Sequence, residues 1–132
     1  MRLLVTGSRD WPDANIVENV LTTVTLSCGH ESPFAPITLV HGDCPSGADL
    51  FADLTGEARG WDIERHPAQW ETYGKAAGPR RNQEMVDLGA DVCVAFIHDG
   101  SRGATHCLTQ ARYAGIRTVV VRIDGLHVGP AA

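Results

Sequence analysis

The segment from Asp91 to Gly103 constrains this chain more than any other. An almost unbroken apolar run, Val92-Cys93-Val94-Ala95-Phe96-Ile97, leads into His98-Asp99-Gly100-Ser101-Arg102-Gly103, and a helical pattern resumes directly afterwards. A strand without polar alternation is covered on both faces, the environment of a parallel sheet between helices. A strand feeding a glycine-bearing turn that opens a helix gathers free backbone N–H groups around one point, a natural seat for a phosphate. Upstream, Arg80 and Arg81 fall in the first turn of a helix begun by Gly78-Pro79. Cations there oppose the helix dipole, an arrangement that makes physical sense beside a bound anion.

The rest of the chain repeats the alternation. Strands are expected over 2–6, 37–41, 61–66, 91–97 and 116–123, the third being polar enough for a sheet edge. Asp13 is placed to cap a helix over 14–27, and a second helix carries Leu50, Phe51, Leu54 and Ala58 to a stop at Gly60. With the helices holding Arg81 and following Gly103, the count is five strands and four helices. Residues 67–78, with Trp70, Tyr73 and Lys75, read as a long connection. This pattern predicts an α/β, Rossmann-like three-layer sandwich: a five-stranded parallel sheet of order 3-2-1-4-5 with helices on both faces. Ligands on such sheets bind beyond the carboxyl ends of the strands, where the order reverses. Three glycine-bearing turns, TGSRD, HGDCPSGAD and HDGSRGAT, are expected to converge there.

Composition bounds the partners. A chain of 132 residues is long enough for one core, expected over 1–123 with a loose tail over 124–132. A net charge of −5 and a pI near 5.6 argue against nucleic acid, which asks for a basic face. Cys28, Cys44, Cys93 and Cys107 form no CxxC pair, so reduced thiols in a cytoplasmic protein are expected. Cys28-Gly29-His30 has no second pair at zinc-ligand spacing, and the patterns ask for no metal and no cofactor. The apolar start MRLLVTG is too short for a signal peptide, and no stretch reaches membrane-spanning length.

The start VTGSRDW, the run HGDCPSGAD, the segment QWETYGKAAGPRRNQEM and the late GSRGATH carry a family resemblance. On them the chain resembles the SLOG superfamily, Rossmann-like proteins that include the Lonely Guy phosphoribohydrolases and the DNA-processing protein A core, and within it the YspA/YpsA-related branch. HGDCPSGAD is similar to the superfamily's first glycine-rich signature. RRNQEM, a buried strand and DGSRGAT are similar to the Lonely Guy pattern of Arg-Lys, Met, strand and PGGxGT. The resemblance implies a nucleotide-related ligand and a homodimer, with Arg81 where the enzymes keep a catalytic arginine. Lonely Guy enzymes follow GGxGT with a glutamate used in cleaving the N-glycosidic bond. Here the stretch reads Ala104-Thr105-His106-Cys107-Leu108, without a carboxylate.

The candidate ligand-binding residues are, from the first two turns, Gly7, Ser8, Arg9, Gly42, Ser46, Gly47 and Asp49. From the later stretch they are Trp70, Arg80, Arg81, Asn82, Gly100, Ser101, Arg102, Gly103, Ala104 and Thr105. Asp49 is either a carboxylate complementing its helix dipole or a partner for a ribose hydroxyl or for the neighbouring turn. Trp70 is either a core plug or a flat platform for a base. His41 reads as structural, whereas His106 is the first acid–base candidate if the missing glutamate has a substitute. The first functional reading is a sensor or sequestering protein for an ADP-ribose-like or related nucleotide signal. The alternative is an N-glycosidase or phosphoribohydrolase in which Arg81 stabilises charge, Asp49 or His106 serves the chemistry, and Asp49, Asp99 or Glu84 positions water. Single-stranded DNA binding is the third reading, against which the acidic balance counts.

Overall fold

A computed structural model describes residues 1–27 and 36–123. The Cys28-Gly29-His30 pair and the expected tail lie outside the described residues. The strands are β1 (Arg2–Gly7), β2 (Thr38–His41), β3 (Asp62–Arg65), β4 (Val92–His98) and β5 (Arg117–Ile123). All pairs are parallel, and the sheet order is β3-β2-β1-β4-β5, as the alternation predicts. The helices are α1 (Ala14–Ser27), α2 (Gly47–Arg59), α3 (Trp70–Tyr73), α4 (Ala77–Asp87) and α5 (Arg102–Tyr113).

Alternate strand residues supply the two cores, because successive side chains of a strand point to opposite faces. Leu3, Val5, Val92, Val94 and Phe96 pack with Val17, Leu21 and Ala52 of α1 and α2. Leu4 and Cys93 pack with Met85, Cys107 and Ala111 of α4 and α5. Asp13 caps α1 as expected, its Oδ1 accepting the Ile16 N–H at 3.1 Å. Trp11 is buried edge-on to Phe96, 5.3 Å between ring centroids, which pins the chain leaving β1.

The connection over 67–78 departs from expectation. It contains α3 and a 3₁₀ turn, Gly74–Ala76, and α4 begins at Ala77 rather than at the Gly-Pro. Neither α3 nor the 3₁₀ turn buries a residue, so no apolar periodicity announced them.

One ion pair spans the sheet. Arg2 of β1 forks onto Glu64 of β3 across β2, at 2.9 and 3.1 Å, and the His66 ring lies 2.7 Å from the same carboxylate. The Arg2 hydrogen bonds, followed by those of His66, hold the Glu64 carboxyl down at about 2, against an ordinary 4.5. A carboxyl depressed on folding stabilises above its unfolded value and loses that contribution as pH falls toward its folded one. Stability is therefore expected to decline between about pH 4.5 and about pH 2 through this group. Glu64→Gln should flatten that part of a denaturation-versus-pH curve; an unchanged slope refutes the assignment. The carboxylate is 33% exposed, so solvent screening keeps the effect modest.

Candidate functional site

A cleft of about 800 Å³ opens beyond the carboxyl ends of β1, β2 and β4. It is lined by Gly7 and Arg9 after β1, by Gly42 and Asp49 after β2, and by Ser101 to Ala104 after β4. Trp70, Arg81, Asn82 and His106 complete the group of expected residues on its wall. The remaining candidates, Ser8, Ser46, Gly47, Arg80, Gly100 and Thr105, do not line it.

Several of these form the scaffold behind the cleft. Ser8 is buried; its Oγ accepts the His98 N–H at 2.8 Å, and its N–H donates to the Phe96 carbonyl at 2.9 Å. The Ser8 carbonyl accepts the Ala48 N–H at 3.2 Å, so a first-turn amide of α2 is satisfied from within the protein. Ser46 Oγ donates to the Arg9 carbonyl at 2.9 Å instead of capping α2. Gly47 sits at φ +69° with its α-carbon against the Ser8 and Arg9 carbonyls, where a side chain has neither the conformation nor the room. Thr105 donates its N–H to the Ser101 carbonyl at 3.0 Å. Arg80 turns away from the cleft and lies over the Tyr73 ring, 4.3 Å from its centroid.

Asp49 is buried at the start of α2 and accepts the Cys44 N–H at 3.2 Å. Its structural role is thus to hold the β2–α2 turn, while one edge of the side chain faces the cleft. Burial raises its pKa; His41, the turn amides and Arg81 oppose that rise. His41, equally buried, accepts the Asp43 N–H on Nδ1 at 2.9 Å and so carries its proton on Nε2, 2.7 Å from Asp53. This is the structural histidine that the sequence suggested.

Arg81 reaches across from α4 to the β2 end. Nη1 donates to the Gly42 carbonyl and, at 3.3 Å, to that of His66, and Nε donates to Asn82 Oδ1 at 2.9 Å. The guanidinium lies against Gly42, so closely that a β-carbon there would overlap it. Two neutral carbonyls and an amide hold the group in place, and its charge reaches the buried Asp49 carboxyl. Asn82, buried, in turn donates to the Gly103 carbonyl at 3.4 Å and ties α4 to the start of α5. Ser101 makes no side-chain cap to α5, so the first-turn N–H groups of that helix lack such a partner where they meet the cleft.

Sequence reasoning missed His98 and Asp10, which the sheet brings in beside the ends of β4 and β1. His98, the first polar residue after the apolar run, lines the cleft with Asp10 and with Asp99, already a candidate for positioning water. Asp10 lies 3.0 Å from His98 Nδ1, yet off the line of a hydrogen bond, and Asp99 lies 3.4 Å from Nε2. Position at the end of a central strand was the available signal for His98. Cys44 and Met85 also line the wall. Deeper in, burial pushes the Cys107 thiol up to about 11, which makes it inert. Among the described residues no three His, Cys, Asp or Glu side chains are grouped as metal ligands, and no helix is long and apolar enough to cross a membrane.

Residues 1–73 match the YspA, cpYpsA-related SLOG family. Over 123 residues the chain is 42% identical to the Gene 61 protein of Mycobacterium phage D29, an alignment that covers 89% of this chain and 94% of that protein. No solved structure matches it.

Proposed function

Since the chain belongs to the YspA, cpYpsA-related SLOG family, we propose that it binds a nucleotide or nucleotide-derived small molecule in this cleft, as a sensor or sequestering protein. The observation that carries the reading is convergence: the turns after β1, β2 and β4 line one cleft together with Arg9, Arg81 and Arg102. In it the uncapped start of α5 seats phosphate through backbone N–H groups, and the arginines neutralise the charge. Thermal denaturation of the full chain with AMP, NAD or ADP-ribose tests it. A ligand that prefers the folded state raises the midpoint by mass action, equivalent to about 2.7 kcal/mol at a hundred times its dissociation constant. No shift with any of the three overturns the reading.

A hydrolase of N-glycosidic bonds is the second reading. It is favoured by Asp49, a carboxyl whose pKa burial raises, in the same cleft as Arg81. Chromatography of the same incubations separates the two, since only turnover releases free base. A homodimer belongs to the same proposal and is tested by light scattering, which should give twice the 14.2 kDa of one chain.

A further inference from the structure

Trp70 is the largest apolar side chain on the cleft wall, and it is not part of a core. It is 48% exposed, on a helix that buries nothing. The core-plug alternative therefore fails for this residue. Its ring edge approaches the α-carbon of Gly78, where a β-carbon would stand at 3.4 Å, and Pro79 and Met85 line the wall nearby. On the other side, the Arg9 guanidinium lies over the indole, 5.5 Å from the ring centroid. Arg9 comes from the β1–α1 turn and Trp70 from the β3–α4 connection, so their contact bridges the mouth of the cleft.

A half-exposed indole on a cleft wall, with a guanidinium beside it, presents a face on which a flat guest can stack. An indole face attracts cations and stacks on electron-rich rings, and a guanidinium stacks equally well on a base. We infer that Trp70 and Arg9 form a clamp for an aromatic base: at 5.5 Å from the ring centroid the guanidinium leaves no room for a ring between them, so the base displaces it from the indole face and Arg9 closes over the far side of the base. This inference rests on the nucleotide reading and narrows it: the ligand carries an aromatic base, and the site is not one for sugar phosphates in general. Arg9 is thereby assigned to the base end of the cleft, and Arg81 with the start of α5 to the phosphate end.

The test compares AMP with ribose 5-phosphate, which differ only by the base, using calorimetric titration of the full chain. The native protein should bind AMP about 10- to 100-fold more tightly, the range that one base–aromatic stack supplies. Trp70→Ala should erase that preference while leaving ribose 5-phosphate unchanged, and Trp70→Phe should keep most of it. AMP, and not ribose 5-phosphate, should quench tryptophan emission, and Trp70→Phe should remove the quench. Equal binding of the two probes to native protein, or a preference that survives Trp70→Ala, overturns the clamp and leaves the phosphate site standing. Failure of both probes to bind overturns the clamp as drawn for a nucleoside monophosphate; the nucleotide reading falls with it only if NAD and ADP-ribose also give no thermal shift.

Discussion

Gly47→Ala should cost the fold on the order of 3 kcal/mol or more. The residue sits at φ +69°, and a β-carbon there would stand 2.5 Å from the Arg9 carbonyl oxygen and closer still to that of Ser8. Both obstacles are backbone, so no side-chain rotation relieves them. The same carbonyls are in use: Ser8 accepts from Trp11 and Ala48, and Arg9 accepts from Ser46 Oγ. Displacing α2 from the β1 turn breaks these bonds together. In urea denaturation the midpoint should fall with the slope unchanged, as for a pure loss of stability. A loss below about 1 kcal/mol would mean that the junction of these two turns is not built as described.

Arg81→Ala should abolish the thermal shift given by nucleotides, a loss of about 1.5 to 3 kcal/mol or more in binding for one charge-assisted contact. The variant should still fold, because the acceptors it releases, the Gly42 and His66 carbonyls and Asn82 Oδ1, make part-buried bonds beside the open cleft. Arg81→Lys retains the charge but not the planar fork that meets two carbonyls and Asn82 at once, and should recover only part of the affinity. Gly42→Ala offers an independent check. The three atoms nearest its β-carbon all belong to the far end of the Arg81 side chain, so it should move the guanidinium and weaken binding at little cost in stability. A shift that survives Arg81→Ala removes this residue from the site.

The sequence was most legible where neighbours in the chain decide the outcome. The apolar run of β4, the Asp13 cap and the glycine stop at Gly60 depend on side-chain periodicity or on turn chemistry within a few residues. Alternating strands and helices with right-handed crossovers led to the parallel sheet, and the Rossmann-like order expected for it is the one found. The helix α3 left no such trace, because a four-residue turn without a buried face has no period to read.

Within the cleft the division is finer. That turns after three strands would share one rim was already contained in the order of elements. Which residues of those turns face the rim was not. Ser8 and Ser46 look like phosphate ligands in sequence, yet they spend their hydroxyls on His98 and on the Arg9 carbonyl. His98 and Asp10 look like ordinary strand-end and loop residues, yet they meet across the cleft.

The amino-acid sequence by itself thus determined the architecture, the end of the sheet at which the cleft opens, and the presence of arginine and tryptophan near it. Only the tertiary structure decided that Arg81 lies against Gly42, 39 positions away, that Arg9 faces Trp70 and that Arg80 faces outward. The physical reason is range. Periodicity and turn preference act over a few residues, whereas the partner of a long side chain depends on the register between strands and helices that are distant in the chain.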